Sequence, residues 1–322
     1  MTSFSLPIKL SSQVQKALAE GRAILALEST VLTHGLPYPQ NFEVLHRLEQ
    51  LCTECGAVPA TIIILDGIAH IGMEERDCDS LRNKMQTAAP LYKFGRRDLP
   101  LALVKGYSGG TTVSATMLLA HKAGIKVFAT GGIGGVHRAW SQTLDISNDL
   151  KALSEIPVIV VSAGCKAILD IPATLEYLES SGVIVLGWQT DDFPAFYSRS
   201  SGLAIDRIDS AAEVAAIYSA MLALDGKPSG ILVANPLPLE SEIPQKQISG
   251  QIDEAVEAAD KQGINGKALT PFLLAYLSES TAGKSVIANL SLLENNVRVG
   301  AEIAKTIECQ TDSEINFPKG VI

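Results

Sequence analysis

Two short runs, Lys126 to Ala129 and Val158 to Val161, constrain this chain most: they are mainly apolar, rich in β-branched residues and without polar alternation. Strands of that kind are buried on both faces, as in a parallel sheet covered by helices. Each run ends in residues with little or no side chain. Gly131, Gly132, Gly134 and Gly135 follow the first, and Ala163 and Gly164 the second. Backbone can approach a ligand closely there because no Cβ intervenes. His137, Arg138, Asp145, Ser147, Asp149 and Lys166 fall at or near the carboxyl ends of these strands, the side of an open α/β sheet where ligands bind.

The same rhythm extends through the chain. Ala23 to Leu27, Ala60 to Leu65, Ile68 to Ile71, Leu101 to Val104, Val183 to Gly187 and Ile231 to Ala234 read as further strands. Between them, apolar spacing and caps predict helices over Leu6 to Gly21 (Ser11 or Ser12 as cap), Asn41 to Cys55, a solvent-facing Glu74 to Met85, Val113 to Ala123, Ile171 to Ser180 and Ala211 to Leu224. A proline-rich loop to about Ile248 and helices over Gln251 to Gln262, Thr270 to Glu279 and Ser285 to Ala304 complete the reading, with a polar tail after Glu308. The expectation is an α/β fold. No repeat, low-complexity segment or clear linker divides the chain, so residues 1–322 are read as a single domain.

Charge and composition narrow the function. A formal net charge of -9 and a pI near 5.1 argue against a nucleic-acid binder, which needs a clustered positive surface. The first twenty residues show neither a signal-peptide core nor an Arg-rich transit pattern, and no apolar run approaches the ~20 residues of a membrane span. The five cysteines are too few and too odd in number for a disulfide framework, so reduced thiols and a cytoplasmic enzyme are expected. Cys52 and Cys55 have C-x-x-C spacing, but inside a helix and with no second pair they carry little redox or metal signal.

Five features bear chemistry. Gly106 to Thr112 is a glycine-rich turn feeding the helix at Val113, so amides of the first helical turn, with Thr111 and Thr112, suit an anion. Lys93 to Asp98 holds three cations, which is a solvated loop or a phosphate site. Neither the Gly106 to Thr112 turn nor Gly283LysSer is a P-loop, and Gly132 to His137 does not complete a dinucleotide fingerprint. Lys166 follows a buried strand; partial desolvation there frees an amine to attack a carbonyl, although a lysine that snorkels to the surface fits the position equally. Asp145 and Asp149, four apart on one helical turn, suit a hard cation or a solvated face. Glu28, one residue past a strand, suits a general acid or a structural partner.

Taken together, these residues sit in longer motifs: AlaLeuGluSerThr at 26 to 30, His34 with Gly35, GlyAlaValProAlaThr at 56 to 61, ArgArgAspLeuPro at 96 to 100 and ThrThrValSerAlaThr at 111 to 116. ThrGlyGlyIleGlyGlyValHisArg at 130 to 138, AspIleSerAsnAspLeu at 145 to 150 and AlaGlyCysLysAlaIleLeuAsp at 163 to 170 follow in order, and then ProAlaPhe at 194 to 196, AsnProLeuPro at 235 to 238, ThrProPheLeuLeu at 270 to 274 and Asn289. The chain resembles the pseudouridine-5'-phosphate glycosidases, a family also called indigoidine synthase A-like. The resemblance implies a three-layer α/β/α sandwich around a largely parallel or mixed sheet, and a homotrimer. It also implies reversible splitting of the C1'–C5 bond of pseudouridine 5'-phosphate to uracil and ribose 5-phosphate in nucleotide catabolism, a reaction named as a lyase or hydrolase according to direction. By the same resemblance Glu28 protonates the ring oxygen and Lys166 forms a Schiff base with C1'. Asp145 matches a ligand of Mn²⁺, one ion per subunit with other divalent cations usable. Lys93, Val113, Ser147, Asn148 and Asp149 match substrate contacts; Lys93 and the Thr112 turn also suit the 5'-phosphate on physical grounds, and His137 and Asn289 are expected on the base or ribose.

Three departures from the family pattern stand out: Ala139 with Trp140 where glycine is usual, Cys165 where alanine is usual and Ala167 where serine is usual. Trp140 is expected to narrow the pocket mouth, and Cys165 to make the site oxidant-sensitive. Two other readings compete, a Schiff-base aldolase on sugar phosphates and a non-catalytic sugar-phosphate sensor.

Overall fold

The structure, a computed structural model, describes residues 6–310 other than 139, 225 and 265–268. Its strands are β1 (Ile8–Leu10), β2 (Ile24–Leu27), β3 (Val58–Leu65), β4 (Ile68–Ile71), β5 (Tyr92–Phe94), β6 (Gly109–Thr111), β7 (Val127–Ala129), β8 (Ile159–Ser162), β9 (Ile184–Trp188), β10 (Asp206–Ile208) and β11 (Ile231–Ala234). They form one 11-stranded sheet of order β1-β4-β3-β2-β7-β8-β11-β9-β10, with β6 and then β5 branching from β3. The stretch from β3 through β2, β7, β8, β11 and β9 to β10 is parallel throughout; β3 meets β4 and β6 antiparallel. The expected mixed, largely parallel sheet is therefore observed.

The helices are α1 (Ser12–Ala19), α2 (Gln40–Glu54), α3 (Glu75–Gln86), α4 (Leu99–Lys105), α5 (Val113–Lys122), α6 (Trp140–Thr143), α7 (Asn148–Glu155), α8 (Ile171–Ser180), α9 (Ala211–Leu224), α10 (Gln245–Lys261), α11 (Leu269–Ser280) and α12 (Lys284–Gln310). One layer holds α12 against β2, β7 and β8 with α2 and α9 beside it; the opposite layer holds α5 against β2, β3 and β7 with α7 and α8 beside it. This is the three-layer sandwich. β3 shows how alternation serves two cores: Ile62 and Ile64 enter the main cluster, while Ile63 and Leu65 join Leu32, Phe42, Leu45, Cys78 and Leu81 in a second. Each such fully buried isoleucine contributes roughly 1.5–3 kcal/mol.

Some expectations need correction. Residues 8–10 are not the start of a helix but an edge strand, pairing Ile8 with Ala69; Ser11 then caps α1 by accepting from the Val14 N–H. Leu101 to Val104 is not a strand. It lies in α4, started by Pro100 in the first turn and stopped by Gly106 at φ 67°, and a four-residue apolar run cannot by itself distinguish the two. α3 is not wholly solvent-facing, since Asp77, Cys78 and Leu81 are buried. α10 begins at Gln245, inside the segment read as loop. The last helix runs on to Gln310, into the segment read as tail; residues 311–322 and Ala139 lie outside the described residues. Among those residues no helix is long and apolar enough to cross a membrane.

Candidate active site

The strand order reverses between β2 and β7, because the chain runs from β2 outward to β3 but later resumes on the other side of β2 with β7 and β8. Such a reversal opens a crevice at the strands' carboxyl ends. Glu28 leaves β2 there, Thr130 and Gly131 leave β7, and Lys166 lies on the loop after β8. Glu28, Gly131 and Lys166, with Lys93 of β5 and Asn289 of α12, line a small cavity walled further by Thr30, Val31, His34, Gly35, Gly132, Phe196 and Leu293; Thr130 stands behind Glu28. Past His34, Gly35 and Asn289 it adjoins a wider cleft bordered by Tyr197 and Ser278.

Backbone hydrogen bonds between neighbouring loops place the lysine. Ala163 N–H donates to the Gly131 carbonyl at 3.0 Å, Ile133 N–H to the Gly164 carbonyl at 3.1 Å and Lys166 N–H to the Ile133 carbonyl at 3.1 Å. Gly164 turns the chain at φ 80°, and a Cβ on it would lie 2.3 Å from the Pro194 carbonyl oxygen. Gly164→Ala is therefore expected to destabilise the fold by at least about 2 kcal/mol, read as a lowered urea midpoint, and to displace Lys166.

Glu28 is recessed, and burial raises its carboxyl above the ordinary range; Lys166, the Thr130 hydroxyl and Lys93 oppose that shift, while Asp149 adds to it. Thr130 Oγ1 donates to Glu28 Oε1. A carboxylic acid that burial makes slower to give up its proton, beside an amine, is the pairing a general acid and a nucleophile require. His34 Nδ1 lies 2.7 Å from Thr33 Oγ1; burial and then Lys93 hold this imidazole below its usual pKa, against a backbone contact from Leu91, which favours the neutral ring. Phe196 forms a wall from a left-handed backbone at φ 65°, and a Cβ on Gly132 would lie 2.6 Å from its ring.

The other expected residues divide. His137 is not among the cavity's lining residues, but it feels its charges: burial lowers its pKa, Asp145 opposes, and Lys166 and Lys93 lower it further. Asp145 Oδ2 is 3.9 Å from His137 Nδ1. Asp145 and Asp149 do not share a helical turn, because α7 starts at Asn148 with Ser147 as its cap. Both Asp149 oxygens are engaged, one accepting from Ser114 N–H and the other from Gly134 N–H, each at 2.9 Å. The anion at the start of α5 is thus this carboxylate. Nor does the glycine-rich turn offer the free amides expected of it, since Gly109 to Thr111 form β6 between β3 and β5, and Thr111 N–H donates to Ser29 Oγ. Thr112 caps α5, with its hydroxyl 3.2 Å from Ser114 Oγ, and Val113 is buried. Asn148 borders a separate cleft with Arg96 and Leu99. Arg138 pairs with Asp253 at 2.5 Å.

Trp140, in α6 and partly exposed, is not among the cavity's walls, so the expected narrowing does not follow. Cys165 is fully buried and its thiol is pushed up to about 12. Oxidant sensitivity needs exposed thiolate, so that expectation is not supported. His34, Thr30, Phe196 and Thr130 were not among the residues expected to act. Thr130 had a signal, being the first polar residue past a buried strand, as Glu28 is.

A sequence model described as "Indigoidine synthase A like protein" matches residues 13–306. The chain belongs to the indigoidine synthase A-like family. A relative from Caldanaerobacter subterraneus subsp. tengcongensis is 51% identical over 92% of this chain and 95% of its own, and one from Sorangium cellulosum is 51% identical over 92% of each; both are named pseudouridine-5'-phosphate glycosidase. Among solved structures of this family's shape, an indigoidine synthase A-like protein of Thermotoga maritima superposes with TM-score 0.85 at 35% identity, covering 96% of this chain and 99% of that one. The prealnumycin C-glycosynthase in complex with ribulose 5-phosphate superposes with TM-score 0.87 at 34% identity, covering 97% and 100%.

Proposed function

We propose that this chain is a pseudouridine-5'-phosphate glycosidase acting through an imine on Lys166. The observation that carries the reading is the Lys166 amine and the buried Glu28 carboxyl in one recessed cavity, with Lys93 beside them. The relatives' names and the sugar-phosphate complex of the C-glycosynthase support the substrate class.

A C-nucleoside has no heteroatom leaving group at C1', so simple departure through an oxocarbenium ion would expel carbon. Ring opening removes that obstacle. Lys166 Nζ bonds C1' as the C1'–O4' bond breaks, and O4' takes the Glu28 proton. The nitrogen now on C1' sheds one proton and C5 of the base gains one, so the count balances; the C1'–C5 bond then breaks with its electrons going to C5. Uracil leaves, and C1' remains as the iminium of ribose 5-phosphate. Water then hydrolyses the imine, restoring the amine, so the sum is nucleotide plus water giving base plus sugar phosphate. Lys93 is the cation suited to the 5'-phosphate or to sugar oxygens, and Asn289 offers both donor and acceptor to the base.

A divalent cation such as Mn²⁺ is part of the reading. Among the described residues no group of three or more His, Cys, Asp or Glu could hold a metal, and Asp149 is engaged. Asp145, 42% exposed, is left as a single carboxylate, which fits a cation that keeps water and phosphate oxygens as its remaining ligands. Such an ion would supply counter-charge to the substrate phosphate. A homotrimeric assembly, a single domain over residues 1–322 and a cytosolic setting belong to the same reading; Leu101 and Val104, exposed on α4, provide apolar surface for contact between copies.

Purified chain with Mn²⁺ is expected to convert pseudouridine 5'-phosphate to uracil, followed by ultraviolet absorbance. EDTA should slow the turnover and added Mn²⁺ restore it. Binding without uracil release would instead identify a sensor, and aldehyde release from deoxyribose 5-phosphate an aldolase.

A further inference from the structure

Behind the cavity, a chain of buried amides ends on Glu28. Asn235, the first residue past β11, donates from Nδ2 to Asn296 Oδ1 at 2.9 Å, and Asn296 Nδ2 donates to the Thr130 carbonyl at 2.8 Å. Asn296 is fully buried and Asn235 nearly so. The orientation of both amides follows from chemistry: a backbone carbonyl only accepts, so Asn296 turns its NH₂ to Thr130, which leaves its oxygen to accept from Asn235. Thr130 then turns its hydroxyl to Glu28 Oε1. Asn296 lies seven residues after Asn289 on α12, two turns along the same face. One turn further, a Cβ on Gly300 would lie 2.8 Å from Leu25 Cδ1 and 3.3 Å from Ala129 Cβ. α12 is therefore seated on β2 and β7, the two strands whose ends carry Glu28 and Thr130.

We propose that Asn296 is a positioning residue for Glu28: it holds the Thr130 hydroxyl on Oε1, so that Oε2 is the oxygen that carries and delivers the proton. The inference rests on Glu28 as the proton donor proposed above. Glu28 makes a poor acid if its carboxyl rotates, since a proton must sit on the oxygen aimed at the reacting atom. Tying Oε1 to a threonine whose own backbone is tied to α12 removes that freedom. Burial alone would account for pairing Asn296 with some acceptor, but it does not require that the acceptor be the residue bonded to Glu28.

The groups facing Glu28 are Thr130, Lys166 after β8, Asp149 of α7, Lys93 of β5 and, across the cavity, His34. Their charges are unchanged by Asn296→Ala, which isolates the hydrogen-bond chain. The test titrates Glu28 by ¹³C NMR in full-length chain labelled at glutamate carboxyls, the resonance being assigned with Glu28→Gln. Loosening the Thr130 donor withdraws stabilisation of the carboxylate, so in Asn296→Ala the titration is expected to move up by about 0.5–1 pH unit. The alkaline limb of kcat/KM should move with it, and kcat should fall about tenfold with KM little changed. Should Asn296→Ala fail to fold, Asn235→Ala loosens the same chain from its far end and should move the titration in the same direction by less. An unmoved Glu28 titration in a folded variant with a lowered melting temperature would show a purely structural amide and overturn the proposal. The titration needs no turnover: a wild-type chain inert toward pseudouridine 5'-phosphate would sink the functional reading and leave this link still measured.

Discussion

Lys166→Ala is expected to abolish uracil release, a loss of roughly 10⁴-fold or more in kcat of the kind seen when a covalent nucleophile is removed, while the melting temperature stays near that of the unaltered chain. The backbone of Lys166, not its amine, is what joins the loops after β7 and β8, so truncating the side chain leaves that joint in place. The chemical test is direct. Incubation with ribose 5-phosphate and borohydride should leave a reduced adduct on the tryptic peptide carrying Lys166 and none in the alanine variant. Full activity in Lys166→Ala, or no adduct in the unaltered chain, would remove the imine from the mechanism.

Glu28→Gln should lower kcat by about 10²–10⁴-fold, the usual contribution of a positioned acid, and it should change stability in the opposite sense. Burial raises the Glu28 carboxyl, so the folded chain holds this proton more tightly than the unfolded chain does. The stability it contributes is fully present below the unfolded carboxylate value of about 4.3 and is lost as pH rises through the raised folded value. At pH 8 the unaltered protein therefore carries a recessed negative charge that glutamine removes, while glutamine still accepts from Thr130. Melting scans at pH 5 and pH 8 should show the variant gaining relative to the unaltered chain at the higher pH. The alkaline fall in kcat/KM should disappear together with the activity it limits. A variant less stable at pH 8 than at pH 5, relative to the unaltered chain, would show that the attraction between Glu28 and Lys166 outweighs desolvation.

Much of the frame is legible in the residues alone. Val158 to Val161 and Ile231 to Ala234 read as buried strands because β-branched residues without polar alternation favour that setting, and both are strands in the structure. Glu28 and Lys166 stand out for the same reason: each is a charged residue on or just past a run that must be buried. Elements whose identity depends on a distant partner were not legible. β1 is a strand only because β4 offers it an edge, and Gly109 to Thr111 become a strand, not an anion loop, because β3 and β5 take up their backbone groups.

The chain's order of residues alone determined which strands are buried, that their carboxyl ends would hold an acid and an amine, and which family the chain resembles, because local apolarity and side-chain chemistry are properties of adjacent residues. Only the tertiary structure decided how the charges are spent. Asp149 meets two amides from different loops, Asp145 stands apart from it, and Asn296 reaches Thr130 from a helix 166 positions away in sequence. Hydrogen-bond direction and desolvation depend on what lies across the crevice, and no neighbour in sequence records that.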